Sequence, residues 1–362
     1  MRIAVLGVGL IGGSIGLAAR RRTGAHVRGY DPDAGVLARA LELGAIDTAA
    51  DDVASAVADA DVVFVAAPIG VLAPTVAAAL AAAGPDCVVS DVGSTKRLLE
   101  QAGADERFVG GHPLAGAETS GVEHAREEIF DGATWYLTPA QGSTAGVLYE
   151  RLHRLLTGLG ARPTAIDADT HDRLMACVSH LPHVLANLLV GQASALLVAG
   201  DSEQLPAVGP SFRDATRVAG ANSAIWTDIY ISNRDALIDT VDELSERLAQ
   251  VRGWLADASA PELSAWNERA RGEREALLGS GLTGVLGGPP VHELRVSVPN
   301  RPGVIAEIAL ALGHAGVNIA DMALSPSPDN SQGVVALWIA GEDRIARASE
   351  LIAQLGLPVV RA

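Results

Sequence analysis

The stretch Gly7-Val8-Gly9-Leu10-Ile11-Gly12 constrains this chain more than any other. It follows the β-branched run Arg2–Leu6, which reads as a strand, and it opens the helical pattern Leu10–Arg22. In that setting each glycine has a mechanical task. Gly7 permits a tight turn, Gly9 lets a phosphate approach the backbone, and Gly12 lets helix and strand pack closely. The helix start then offers free N–H groups and a positive dipole end to a pyrophosphate. A second strand, His26–Asp31, ends in a carboxylate that can accept hydrogen bonds from both ribose hydroxyls and would repel a 2′-phosphate. The expectation is a dinucleotide site of Gly7, Gly9, Leu10, Ile11, Gly12 and Asp31, with NAD favoured over NADP. The competing use of Asp31 is as a cap for the helix after Pro32.

The same alternation continues downstream. Asp61–Ala67, Cys87–Asp91 and Arg107–Gly111 read as strands, with helical stretches at Val71–Ala83 and Thr95–Ala102. Residues 1–166 should therefore form a doubly wound, mostly parallel α/β sheet of Rossmann type. From Asp167 to Leu278 strand signals nearly vanish. Asp235–Trp254, for example, spaces Leu237, Val241, Leu244, Leu248 and Val251 three and four apart, so residues 167–278 read as all-helical. Gly279–Pro290 is rich in glycine and proline and reads as a linker. Residues 291–362 show strand Glu293–Val298, helix Gly303–Ala315, strands Val317–Leu324 and Val334–Ile339, helix Arg344–Leu355 and strand Leu357–Val360. That βαββαβ order is the ferredoxin-like α+β arrangement.

Charge excludes some classes of partner. With 27 Lys and Arg against 43 Asp and Glu, the formal net charge is −16, which argues against coating nucleic acid or docking on anionic lipid. Lys96 is the only lysine, in a chain that otherwise uses arginine. The two cysteines, Cys87 and Cys177, form no CxxC pair, so a reducing cytoplasm is expected. The first apolar run breaks at Gly7, too early for a signal-peptide core. Leu174–Gly200 lacks charged residues and is long enough to span a bilayer. It also carries His180, His183, Asn187 and Gln192, which are costly in lipid, so a buried or dimer-interface helix is the expectation, with no membrane partner.

Four clusters carry potential chemistry. Gly93-Ser94-Thr95-Lys96 and Gly110-Gly111-His112-Pro113-Leu114-Ala115-Gly116 follow strands, where open α/β sheets bind ligands. Ser179-His180-Leu181-Pro182-His183 opens the uncharged helix, and Phe212-Arg213-Asp214-Ala215-Thr216-Arg217 lies in the helical region. Histidine suits proton transfer near neutral pH, and arginine offers a planar fork to a carboxylate. No metal site is expected, because no cysteine or carboxylate set completes a tetrahedral pattern around His171, His180 or His183.

From Arg2 to about Leu278, through GVGLIGGS, DVGSTK, GGHPLAGAETSG, SHLPH and FRDATR in that order, the chain resembles the prephenate dehydrogenases of tyrosine biosynthesis and their arogenate-using relatives. Asn300-Arg301-Pro302-Gly303 and Gly316-Val317-Asn318-Ile319 resemble an ACT domain, a module that binds amino acids. The resemblance implies oxidative decarboxylation of prephenate with NAD, and a homodimer. By it, His112 accepts the proton of the ring hydroxyl and Ser94 orients His112 or that hydroxyl. Arg217 holds a substrate carboxylate, with His183 and His180 nearby. Glu118 and Asp214 form a charged gate, and Trp226 lines the pocket. Lys96, beside Ser94, is either a substrate contact or the partner of an acid such as Asp91. Ser94 can also cap a helix, His180 can simply satisfy a buried carbonyl, Arg217 can be a surface residue, and Trp226 can belong to the core. Ala117 stands where relatives can carry threonine, which leaves the side-arm preference of the substrate open. Tyrosine or a related amino acid is expected at Asn300, Pro302, Gly303, Asn318 and Ile319.

Overall fold

Alternation along β1 (Arg2–Leu6) buries its sheet on both faces: Ile3 and Val5 enter one core, Ala4 and Leu6 the other. In this computed structural model the described residues are 1–116, 119–139, 146–198, 208–283, 291–301, 303–326 and 332–361. They fall into two compact units, Met1–Arg247 and Leu248–Ala362.

In the first unit α1 (Leu10–Thr23), β2 (His26–Tyr30), α2 (Ala34–Glu42), β3 (Thr48–Ala49), α3 (Val53–Val57), β4 (Val62–Val65), α4 (Ile69–Ala82) and β5 (Val88–Asp91) follow β1. The five strands pair in parallel in the order β3-β2-β1-β4-β5. Order reverses at β1, and the loops after β1 and β4 open there, which is where such sheets hold ligands. A second sheet, β6 (Val109–Pro113), β7 (Thr134–Pro139) and, after α5 (Val147–Gly158), β8 (Arg162–Ala165), follows the first. Its β6–β7 pair is antiparallel, and the single parallel bridge Val89–Phe108 ties it to β5.

The expected helix Thr95–Ala102 is instead two short 3-10 turns, Arg97–Leu99 and Ala102–Ala104. The backbone N–H groups of Lys96 and Arg97 donate to the Asp172 carboxylate (2.8 and 3.0 Å), so a side chain distant in sequence fixes this segment.

The helical region comprises α6 (Ala168–Met175), α7 (Leu181–Val198), α8 (Pro210–Thr216), α9 (Ser223–Ser232) and the start of α10 (Arg234–Ala256). A π-turn, Ala176–His180, joins α6 to α7. It absorbs one residue, so Asp172 and His180 lie about two turns apart on one face. Among the described residues one helix, Ala168–Ala195, is long and apolar enough to cross a membrane. It is also the helix whose His171, Asp172, His180 and His183 turn inward, while Leu188, Leu189 and Val190 are exposed.

In the second unit α11 (Ala260–Thr283) runs past the expected linker start at Gly279, because a helix once formed adds a bond per residue; residues 284–290 lie outside the described residues. Then come β9 (Val291–Pro299), α12 (Val304–His314), β10 (Ile319–Pro326), β11 (Gln332–Ala340), α13 (Glu342–Gln354) and β12 (Val359–Arg361). The antiparallel order β10-β11-β9-β12 is that of the ferredoxin-like fold. Its core joins Leu294, Val296 and Leu337 to Ile308, Leu312 and Ile352 of the two helices.

Candidate active site

The glycine turn has the geometry its spacing calls for. Gly7 has φ +92°, and a Cβ there would sit 2.5 Å from the Ala66 carbonyl oxygen; one on Gly12 would sit 1.9 Å from that of Gly7. A Cβ on Gly9 would meet nothing within 4 Å, so the space beside it is open. Gly9 is the N-cap of α1 and makes no side-chain capping bond, which leaves the N–H groups at Leu10, Ile11 and beyond for a phosphate. Asp31 directly follows β2, and its carboxylate accepts from Val8 N–H (2.9 Å) and Asp33 N–H (3.0 Å). Asp33, not Asp31, caps α2 through Gly35 N–H. These residues fit a dinucleotide.

A chain of three side chains begins at His112, near the end of β6. His112 Nδ1 lies 2.9 Å from His171 Nε2, and His171 Nδ1 lies 2.8 Å from Asp172 Oδ1. His112 is partly buried, whereas His171 and Asp172 have no exposed surface. Across the strand pair Tyr136 faces His112 in register and presents its ring edge to His171. Burial, together with His171, Lys96 and His180, holds His112 well below the ordinary imidazole range. Burial opposes ionisation of Asp172, but bonds from His171 and from the N–H groups of Arg97 and Lys96 more than offset it, so its carboxyl stays below its usual range. Asn233 locks the base of this chain: its Nδ2 donates to the Asp172 carbonyl (2.7 Å) and meets His180 Nδ1 (3.1 Å), and its Oδ1 accepts from Arg97 (2.9 Å).

The alternatives for Lys96 separate here. Its side chain is fully buried, and Nζ bonds Asp91 and the Gly111 carbonyl rather than facing an open cleft as a substrate contact would. Asp91 in turn accepts from Gly93 N–H (2.7 Å) and Gly111 N–H (3.0 Å), so the pair fastens the loop after β5 to β6, one residue from His112. Burial pulls the ammonium below its usual range, with Asp91 and Asp172 opposing. Ser94 is half-buried in that loop. Among the described residues His112 Nδ1 meets His171.

His180 and His183 are both buried. His180 presents its ring edge to Trp226, and burial pushes it down to about 4, Asp172 opposing. His183 stacks on Trp226, centroids 3.6 Å apart, and its Nδ1 bonds the Tyr230 hydroxyl. Trp226 is thus half-buried against the histidines rather than in a general core. Asp214 on α8 and Arg217 just after it are exposed. Glu118 and Ala117 lie outside the described residues, as does Pro302 of the expected effector site. Asn300 and Asn318 are exposed, Ile319 is half-buried, and Gly303 caps α12 with φ +88°. Sequence reading missed His171, Asp172, Asn233 and Tyr230 as site residues. The adjacent His171-Asp172 pair is the signal the sequence carries for two of them.

Fold and site define a class: a nucleotide-binding dehydrogenase whose helical region completes the cleft of a Rossmann domain. Comparison with known proteins narrows it. Residues 15–164 match the family model for the nucleotide-binding domain of prephenate dehydrogenase, residues 167–268 its dimerization domain, and residues 292–355 the ACT domain. The prephenate dehydrogenase of Bacillus subtilis is 32% identical over 97% of this chain and 95% of its own length. Among solved structures, the Aquifex aeolicus prephenate dehydrogenase in complex with hydroxyphenyl propionate and NAD+ gives a TM-score of 0.70 at 25% identity, covering 76% of this chain and 98% of that one. The Synechocystis arogenate dehydrogenase gives 0.67 at 27% identity, covering 76% and 100%. The chain belongs to the prephenate dehydrogenase family.

Proposed function

We propose that this chain is an NAD-dependent prephenate dehydrogenase that forms 4-hydroxyphenylpyruvate and CO2. NAD, when bound, takes the hydride from the ring carbon bearing the hydroxyl. The glycine turn and Asp31 would hold it, and the carboxylate at Asp31 favours it over NADP. His112 accepts the hydroxyl proton, Ser94 helps orient the reacting groups, and loss of CO2 aromatises the ring. Arg217 pairs with a substrate carboxylate, Glu118 and Asp214 gate the entrance, and His183, His180 and Trp226 line the ring. The observation that carries this reading is His112 itself, a histidine held neutral at the end of a strand beside the loop after β5.

One of the similar solved structures is an arogenate dehydrogenase, so the side arm is the open choice. Steady-state assays with prephenate and arogenate, with and without tyrosine, decide it. A higher kcat/KM on prephenate is expected; a much higher value on arogenate refutes the choice. Inhibition by tyrosine would support binding at Asn300, Pro302, Gly303, Asn318 and Ile319. A cytoplasmic homodimer is also proposed. Exposed Leu188, Leu189 and Val190, and the groove of about 530 Å³ lined by Val184, Ile231, Leu237 and Ile238, support the dimer.

A further inference from the structure

We propose that His171 and Asp172 fix the tautomer of His112 and draw the proton it accepts inward, away from the substrate. This rests on the reading of His112 as the proton acceptor. The assignment runs outward from Asp172. Its carboxylate is an acceptor only, and it already takes the N–H groups of Lys96 and Arg97. His171 Nδ1, 2.8 Å away, must therefore carry the hydrogen. With His171 in its neutral form the ring carries one N–H, so Nε2 holds a lone pair. The 2.9 Å contact to His112 Nδ1 then has one donor available, the N–H of His112. That leaves His112 Nε2 unprotonated, the form a general base needs.

The step balances. The substrate O–H bond breaks as His112 Nε2–H forms; His112 Nδ1–H breaks as His171 Nε2–H forms. One positive charge thereby moves from a partly buried ring to a fully buried one against Asp172. The other groups facing His112 do not supply that counter-charge. Asp91, at the end of β5, and Lys96, in the loop after it, neutralise each other. Tyr136 on β7 is a phenol, and burial keeps His180 in the π-turn neutral. Arg97 shares Asp172 from the loop side, its Nε 3.4 Å away.

Nitrogen-15 NMR of the histidine rings in the full-length, ligand-free chain tests the tautomer, with His112→Asn assigning the signal. A neutral His112 with hydrogen on Nδ1 is expected; hydrogen on Nε2 overturns the proposal. This readout holds whether or not prephenate or arogenate is turned over, so failure of the function and failure of the relay are distinguishable. For the relay, His171→Gln leaves the Asp172 bonds to Lys96 and Arg97 in place. It should lower kcat by at least about 100-fold with the KM for the dinucleotide unchanged. Asp172→Asn should move the acidic limb of the kcat–pH profile to lower pH, because the imidazolium loses its counter-charge. An unchanged kcat in His171→Gln, or an unmoved limb in Asp172→Asn, overturns the relay.

Discussion

Replacing Lys96 with methionine leaves the Asp91 carboxylate buried without its cation. Both side chains are fully enclosed, so solvent does not screen the loss. Removing one partner of a buried pair costs about 3–5 kcal/mol. Asp91 keeps the N–H groups of Gly93 and Gly111, which places Lys96→Met near the lower end, about 3 kcal/mol. For a unit of this size that lowers Tm by roughly 6–12 °C. Arginine does not substitute either. A Cβ on Gly110 would lie 3.4 Å from Lys96 Cδ, and one on Gly93 3.8 Å from Nζ, so the two glycines leave room for a lysine stem and little more. Lys96→Arg should cost about 1–3 kcal/mol through overpacking. The double variant Lys96→Met with Asp91→Asn should recover part of the loss, since it removes the unpaired charge while the amide oxygen keeps an acceptor for the Gly93 or Gly111 N–H. Thermal unfolding followed by tryptophan fluorescence reports it, because Trp135 is buried in the same unit. A loss below about 0.5 kcal/mol in Lys96→Met, or a double variant whose cost is the sum of the singles, refutes the coupled buried pair.

Two glycines of one turn should respond oppositely: Gly12→Ala should unfold or strongly destabilise the first unit, because its Cβ meets the Gly7 carbonyl at 1.9 Å. Gly9→Ala should change stability by less than about 0.5 kcal/mol yet weaken NAD binding at least about tenfold, as read by calorimetry. His180 sets an acid limit: its unfolded value is 6.5 and its folded value about 4, so between them the unfolded chain binds the extra proton and stability falls as pH drops through that window. Urea midpoints should show wild type losing about 2–3 kcal/mol from this group between about pH 7 and pH 4.5, a loss that His180→Gln removes.

Local features of this molecule were readable from the chain. The strand, glycine turn and helix of residues 2–23 are set by contacts within a few residues, and so is the alternation that builds the ferredoxin-like sheet. The helix expected at Thr95–Ala102 failed for a reason no local pattern carries, since Asp172 holds its first N–H groups from far along the chain. The π-turn at Ala176–His180 departs from 3.6-residue periodicity, so the sequence could not show that Asp172 and His180 share a face. Asn233 is a single amide with no motif around it, and only the fold brings it to Asp172 and His180. The motifs named His112, but not the His171 that meets it.

On the function proposed above, burial separates two demands that a dianionic substrate would place on an acidic chain. A net charge of −16 repels anions at long range, so attraction has to be local. Protonated histidines could supply it, but a protonated imidazole cannot accept the proton of the reaction. Burial holds His112, His180 and His183 below their ordinary range, which keeps them neutral and leaves His112 competent as a base. Positive charge for the substrate must then come from groups that stay charged whatever their surroundings. Arginine meets that condition, and Arg213 on α8 and Arg217 just after it are both exposed. The lone lysine cannot serve, because its ammonium is spent on Asp91. On that reading base and cation sit on different elements, His112 on β6 and Arg217 just after α8.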